Sequence, residues 1–352
     1  MTLRVGLIGA GVMGGDHART LSRHVAGATV AAVTDIDPSR ADQLAAELGA
    51  TPLASAEDLI AAQDVDAVII ASHDAAHATQ VLACIEAGKP VLCEKPLAPT
   101  SAECERIIDA QRRRGLGALV SVGFMRRFHP SFTAMKLQVD ARSLGEPVLV
   151  LGSHRNVSSY PTGGSDGTLS NSAVHDIDTA AWLLGSVVVE VEWFAARQSA
   201  LVTDRQDPQL IHLRSANGVL ASIDLFLNAQ YGYDVRYEVV CERGNLRLRP
   251  PALVDTDRDG VSGHSLHPDW RGFFADAYRL ELTSWVERVT QGRPSELATA
   301  EDGLRSTLVA EALIQSRQEG KPVRVRRSTV DEGQPSLMPN AVVEQPERWS
   351  HT

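Results

Sequence analysis

Along the first 120 or so residues, short apolar runs alternate with segments whose apolar residues recur every three or four positions. The runs at 3–8, 29–34, 67–71, 90–93 and 118–123 read as strands, and segments such as 38–48 and 79–87 as amphipathic helices. That alternation, with tight connections, predicts a parallel sheet with right-handed crossovers. From about Glu146 the pattern changes to longer β-rich runs, at 147–156, 187–197, 209–215, 219–228, 235–242 and 245–249. Ala216-Asn217-Gly218 and Arg243-Gly244-Asn245 punctuate them as hairpin turns. Helical patterns fall at 171–184, 270–290 and 299–319, and 321–327 reads as a last short strand. Residues 328–352 carry Pro335, Pro339 and Pro346 among polar residues and read as a loose tail. The expectation is an α/β domain at 1–123, an α+β domain with a large, mostly antiparallel sheet at 124–327, and a polar tail at 328–352.

The first strand runs directly into Gly9-Ala10-Gly11-Val12-Met13-Gly14, which opens a helix. In such a loop the first glycine makes the tight turn, the second lets a pyrophosphate approach the backbone, and the third lets helix and strand pack closely. The phosphates sit on the free N–H groups of the helix N-terminus, which makes Val12 and Met13 contacts as well. Alone the glycine pattern is weak, but Asp35 ends the second strand 21 residues after Gly14. A carboxylate there accepts hydrogen bonds from ribose hydroxyls and repels a 2′-phosphate. The first domain is therefore read as a Rossmann dinucleotide-binding domain, with NAD preferred over NADP. Arg40 is the one nearby cation suited to a 2′-phosphate, against the plainer reading of a solvated helix face. Ser72 and His77, just beyond the third strand, are further candidate cofactor contacts. His73 and His77 lie four apart but lack a third ligand, so no metal is expected.

Charge narrows the class. The chain has 34 Lys+Arg against 44 Asp+Glu, a net charge of −10, which disfavours nucleic acid and anionic membranes as partners. No apolar run reaches the roughly 20 residues of a membrane span, and with a strand read from residue 3 no cleavable leader is expected. Four cysteines form no CxxC pair, which fits a reducing cytoplasm. Only four residues are lysines, Lys89, Lys95, Lys136 and Lys321. In a chain that otherwise uses arginine, Lys95 suggests a need for a cation able to release its proton.

Lys95 lies in Cys93-Glu94-Lys95-Pro96, at the C-terminal end of the fourth strand, where open α/β sheets bind ligands. A lysine there can exchange a proton with a substrate hydroxyl as hydride leaves the same carbon, and Glu94 can hold either its ammonium or its backbone. With the glycine loop, this motif resembles the glucose–fructose oxidoreductase, inositol dehydrogenase and rhizopine catabolism superfamily. Gly123-Phe124-Met125-Arg126-Arg127-Phe128, Ser153-His154-Arg155-Asn156, Val174-His175-Asp176-Ile177-Asp178, Tyr231-Gly232-Tyr233-Asp234 and Asp276-Ala277-Tyr278 extend the likeness over nearly the whole chain. Within the superfamily it is most similar to the myo-inositol 2-dehydrogenases. The resemblance implies an NAD-dependent oxidoreductase acting on a small cyclic polyol, and a homotetramer. It also implies that Lys95 and His175 are catalytic and that Arg126 or Arg127 holds substrate. His154, Asn156 and Tyr233 are implied as pocket residues, against plain strand and core roles.

One position departs from that pattern. Where the inositol enzymes carry an aspartate four residues before the histidine, this chain has Asn171. On a helix, Asn171, His175 and Asp178 would share one face. Asn171 can hydrogen-bond a hydroxyl or orient an imidazole, but it cannot take a proton or stabilise an imidazolium by charge. The leading reading is a myo-inositol dehydrogenase with a softened proton relay. Alternatives are a dehydrogenase of another cyclitol, an aminocyclitol of the streptomycin type or a pyranose, and, in a different class, a non-catalytic NAD(P)-binding regulator.

Overall fold

Val5, Leu7, Val68, Ile69 and Leu92 are almost without exposure, so the strands that carry them are covered on both faces, the condition under which parallel sheets occur. The computed structural model describes residues 2–115, 117–159, 162–248 and 255–328; all but the first residue of the tail read at 328–352 lies outside them. The first sheet contains β1 (Leu3–Ile8), β2 (Ala28–Thr34), β3 (Thr51–Pro52), β4 (Ala67–Ile70), β5 (Val91–Glu94) and β6 (Val120–Gly123). They pair in parallel in the order β6-β5-β4-β1-β2-β3. Helices α1 (Val12–His24), α2 (Pro38–Leu48), α3 (Ala56–Ala61), α4 (Asp74–Ala87) and α5 (Ser101–Arg114) connect them. The strand order reverses between β1 and β4, which opens a crevice beyond their C-terminal ends. As the sequence implies, the glycine loop, Ser72 and Lys95 all lie at that end.

After β6 comes a short 3₁₀ turn, Met125–Phe128, then α6 (Pro130–Asp140), β7 (Pro147–Arg155), α7 (Gly164–Gly167) and a π-helical turn at Thr168–Ser172. There follow α8 (Val174–Leu184), β8 (Val188–Ala195), β9 (Gln209–Ser215), β10 (Leu220–Phe226), β11 (Asp234–Cys241) and β12 (Gly244–Arg247). A small hairpin, β13 (Thr256–Arg258) and β14 (Val261–Gly263), precedes α9 (Trp270–Gln291), β15 (Ala298–Thr299), α10 (Ala300–Glu319) and β16 (Val323–Arg324). The second sheet runs β12-β11-β7-β10-β9-β8-β16. It is antiparallel except for β7 beside β10, and the two turns read from the sequence join β9 to β10 and β11 to β12.

Three features depart from the sequence pattern. The chain returns to the first sheet: β15 pairs antiparallel with β6, and Leu282, Trp285 and Val286 of α9 share a core with Leu3, Val5, Leu7 and Leu21. Periodicity shows that α9 has an apolar face but not which sheet covers it. The helix read at 171–184 is divided, with Asn171 in the π turn and His175 in α8. The final strand shrinks from 321–327 to Val323–Arg324. Among the described residues no helix is long and apolar enough to cross a membrane.

Arg127 ties this junction together. It donates to Asp178 of α8 at 2.5 and 3.0 Å and to Asp302 of α10 at 3.1 Å. Asp178 is only 3% exposed, so removing its cation leaves a buried charge without a partner. Arg127→Leu is expected to lower stability by roughly 3–5 kcal/mol, read as a fall in the urea midpoint.

Candidate active site

The glycine loop takes its shape from contacts that allow no side chain. Gly9 has φ +95°, and a Cβ there would stand 2.6 Å from the Ala71 backbone; a Cβ on Gly14 would stand 1.8 Å from the Gly9 carbonyl oxygen. Gly11 differs, because a Cβ would meet nothing within 4 Å. It is the N-cap of α1 without a side-chain cap, so the first N–H groups of that helix face open space, as an anion site requires. Asp35 is pinned over the loop by the N–H groups of Ala10 (2.6 Å) and Asp37 (2.8 Å). Beside it is a cavity lined in part by Pro38, Ala41, Pro52 and Leu53. Val12 and Ile36 flank the loop at 68% and 102% exposure, an apolar pair suited to being covered by a flat ring. Periodicity has no means of finding Ile36, a single apolar residue after a strand. Arg40 is turned to Asp37 at 3.4 Å on an exposed surface, and Asp37 caps α2 through Ser39. The donors and the space fit a dinucleotide with free ribose hydroxyls.

Ser72 donates to Gln80 at 2.7 Å. His77 is buried, with Nδ1 2.8 Å from the Pro96 carbonyl oxygen and Nε2 3.2 Å from that of Ser72. It therefore brackets the ends of β4 and β5. His73 is exposed and caps α4 through the Ala75 N–H. Among the described residues no group of three or more His, Cys, Asp or Glu is placed to hold a metal ion.

At the end of β5, Glu94 turns inward. Its Oε1 lies 2.7 Å from His17 Nε2 of α1, and its Oε2 accepts the Lys95 N–H at 3.1 Å. Burial works against the Glu94 charge, but His17 and Lys95 outweigh it and hold the carboxyl below its ordinary range. Of the two uses read from the sequence, Glu94 fixes the backbone of Lys95. His17, like Ile36 and Tyr237, is a residue that the sequence reading missed; its only signal is a buried position on α1.

Lys95 reaches the π turn, where Nζ donates to the main-chain oxygen of Asn171 at 3.2 Å and to its Oδ1 at 3.3 Å. Burial lowers the Lys95 pKa, Glu94 and Asp74 oppose that, and Arg126 adds to it. His175 packs edge-on against Phe124 with ring centroids 6.2 Å apart, and its Nδ1 is buried without a partner. Its pKa is pushed well below the imidazole range by burial first, then by Lys95, Arg126 and His154. The π turn brings Asn171 to Lys95, whereas Asp178 is turned to Arg127, so the shared face expected of the three residues does not form.

Behind them is a buried polar cluster. Arg126 is 1% exposed and donates to Asp176 at 2.6 Å. His154 Nδ1 lies 2.7 Å from the other Asp176 oxygen, and Tyr237 donates to Asp176 at 2.7 Å. Burial would raise the Asp176 pKa, but Arg126 and His154 hold it far below the carboxylate range. With Nδ1–H given to Asp176, His154 keeps the Nε2 lone pair as an acceptor. Tyr233 is buried and meets the His154 ring edge-on. Asn156 ends the β7 run, where its Oδ1 accepts the Val157 N–H. The structure thus gathers Lys95, Asn171 and His175, with Arg126, His154 and Tyr237 linked through Asp176 and Tyr233 packed on His154, while Arg127 serves as a bracket.

Comparison with known proteins agrees in both halves. Residues 3–124 match the family model described as "Oxidoreductase family, NAD-binding Rossmann fold", and residues 136–325 match "Oxidoreductase family, C-terminal alpha/beta domain". A protein named inositol 2-dehydrogenase 2 from Paenarthrobacter aurescens is 46% identical over 93% of this chain and all of its own length. Inositol 2-dehydrogenase 1 from Saccharopolyspora erythraea is 45% identical over 92% of this chain and 97% of its own. The crystal structure of myo-inositol dehydrogenase from Lactobacillus casei with NAD(H) and myo-inositol superposes with TM-score 0.90 at 30% identity, covering 96% of this chain and 99% of that one.

The glycine loop gives a direct test. Gly14→Ala forces a Cβ against the Gly9 carbonyl oxygen and is expected to weaken NADH binding more than about tenfold, measured by nucleotide fluorescence titration.

Proposed function

Since the chain belongs to this oxidoreductase family, we propose that it oxidises one ring CH–OH of a cyclic polyol with NAD+. Myo-inositol is the substrate and 2-keto-myo-inositol (scyllo-inosose) the product. The observation that carries the reading is Lys95, half-buried at the end of β5, with Nζ on Asn171. Lysine, asparagine and His175 stand beside a loop that fits NAD. The inositol 2-dehydrogenases and the NAD(H)- and inositol-bound structures among its relatives support the substrate class.

Bound on the loop, the nicotinamide supplies the hydride acceptor. Lys95 takes the proton of the reacting hydroxyl, and its burial makes the neutral amine accessible. His175, kept neutral by its surroundings, offers a nitrogen to the same hydroxyl or its neighbour. Asn171 orients the Lys95 ammonium through two oxygens without adding charge. Arg126, with its charge answered by Asp176, and His154, Asn156 and Tyr233 shape the ring pocket. Val12, Met13, Asp35, Ser72, His77 and Glu94 belong to the cofactor side. Asn171 is also what favours a second reading, a related cyclitol, aminocyclitol or pyranose. NAD+ with a panel of inositols, aminocyclitols and aldoses, followed by NADH absorbance, separates these readings. NADH binding without turnover on any of them would mark a regulator instead.

We also place the protein in the cytoplasm as a homotetramer. In support, one face of the second sheet stays partly open, with Phe194, Leu210, His212, Leu151 and Val240 interspersed with Glu192, Arg214 and Glu238. A monomer mass by light scattering would overturn the assembly.

Lys95→Ala should lower turnover on the order of 10²–10⁴-fold while leaving NADH binding nearly intact; near-normal activity overturns its role. Asn171→Asp restores an anion beside the ammonium and raises the Lys95 pKa. The oxidation rate depends on the deprotonated amine and falls as pH drops through that pKa. The acid limb of kcat/KM should therefore move upward by about one unit; an unmoved limb separates Asn171 from the proton relay.

A further inference from the structure

Three buried atoms on two packed helices have no hydrogen-bond partner: Nδ1 of His17 and both carboxyl oxygens of Glu281. Glu281 is 0% exposed and His17 1%. Helix α1, which carries His17, lies against α9, which carries Glu281. The His17 ring meets Tyr278 edge-on at 5.5 Å, and Tyr278 precedes Glu281 by three residues, on the same side of α9. On its far side His17 is already committed. The 2.7 Å contact between Nε2 and Glu94 needs the proton on Nε2, and in the neutral ring that leaves a lone pair on Nδ1. The charged groups acting on Glu281 from the packed elements are Glu94 of β5 and Asp178 of α8, both acidic; after burial, they push its pKa well above the carboxylate range. A buried carboxyl that keeps its proton is a donor, and a lone pair on the facing helix is its complement. One internal water with three polar partners is an ordinary way to join such groups.

We propose that Glu281 is a positioning residue: its O–H donates through one internal water to His17 Nδ1. It thereby fixes the tautomer that holds Glu94 and, through Glu94, the main chain at Lys95. Protons then run one way along the chain, from Glu281 to water, from water to Nδ1, and from Nε2–H to the Glu94 carboxylate. Without the donor, the His17 proton is free to move to Nδ1, and a lone pair then faces Glu94. Glu94 must turn away or protonate, and Lys95 loses the anion that supports its charge.

Only the kinetic arm of the test rests on the dehydrogenase reading. In the full-length protein without ligand near neutral pH, infrared spectroscopy should show the carbonyl stretch of a protonated carboxyl. The band should shift in D2O and vanish in Glu281→Gln. Nitrogen NMR should find His17 as the Nε2–H tautomer in wild type and in Glu281→Gln, whose amide still donates, and as a mixture in Glu281→Met. In turnover, Glu281→Met should lower kcat about tenfold with little change in the polyol KM, and move the acid limb of kcat/KM to lower pH. Glu281→Gln should keep the wild-type limb. A missing band, a band untouched by Glu281→Gln, or identical pH profiles for wild type and Glu281→Met overturns the proposal. If Glu281→Met does not fold, the band and the tautomer in Glu281→Gln decide alone.

Discussion

Taking one ammonium out of water at the end of β5 is the constraint that organises the molecule. A lysine half-buried in this way is costly unless something answers its charge, and the proton-acceptor role proposed for Lys95 needs that answer to be incomplete, so that the amine is able to lose its proton. The chain meets both demands by distance. Glu94 supplies a full negative charge but spends its oxygens on His17 and on the backbone of Lys95. At Nζ itself stand the neutral oxygens of Asn171. The neighbouring cation, Arg126, is paired with Asp176, which tempers its effect on Lys95 and His175 without removing it.

The π turn is how the second half of the chain reaches that lysine. An α-helix continued through Thr168–Ser172 would present Asn171 in register with His175. The wider turn offers both an amide oxygen and a main-chain oxygen to the same ammonium. Such turns are uncommon and recur at functional sites. Here the turn converts a neutral side chain into a two-point hold on a cation.

Much of this was legible in the residues. Glycine spacing, Asp35 and the β-branched runs located the first sheet and its crevice, because each is a local signal with a local cause. Lys95 stood out by position and by the scarcity of lysine. What stayed hidden depends on three-dimensional register. The pairing of Arg127 with Asp178 and Asp302, the π turn, the His17 contact to Glu94 and the exposed Ile36 leave no periodic trace. The closure of the first core by α9 and β15 is likewise invisible, since an apolar helical face does not declare its partner. The two arginines, adjacent in sequence and interchangeable by composition, part in space: Arg126 goes into the cluster around His154, and Arg127 goes to the bracket.

That closure has a consequence in time. A chain made from its N-terminus presents Leu7, Leu21, Val33 and Ile69 long before Leu282, Trp285 and Val286 exist to cover them. The first 123 residues therefore emerge from the ribosome as a sheet with one side unfinished, the kind of surface that aggregates or recruits chaperones. Synthesis has to pass residue 299 before β15 can lie against β6. The two halves cannot be exchanged freely between relatives at the apparent boundary, because a transplanted N-terminal half leaves its own lid behind.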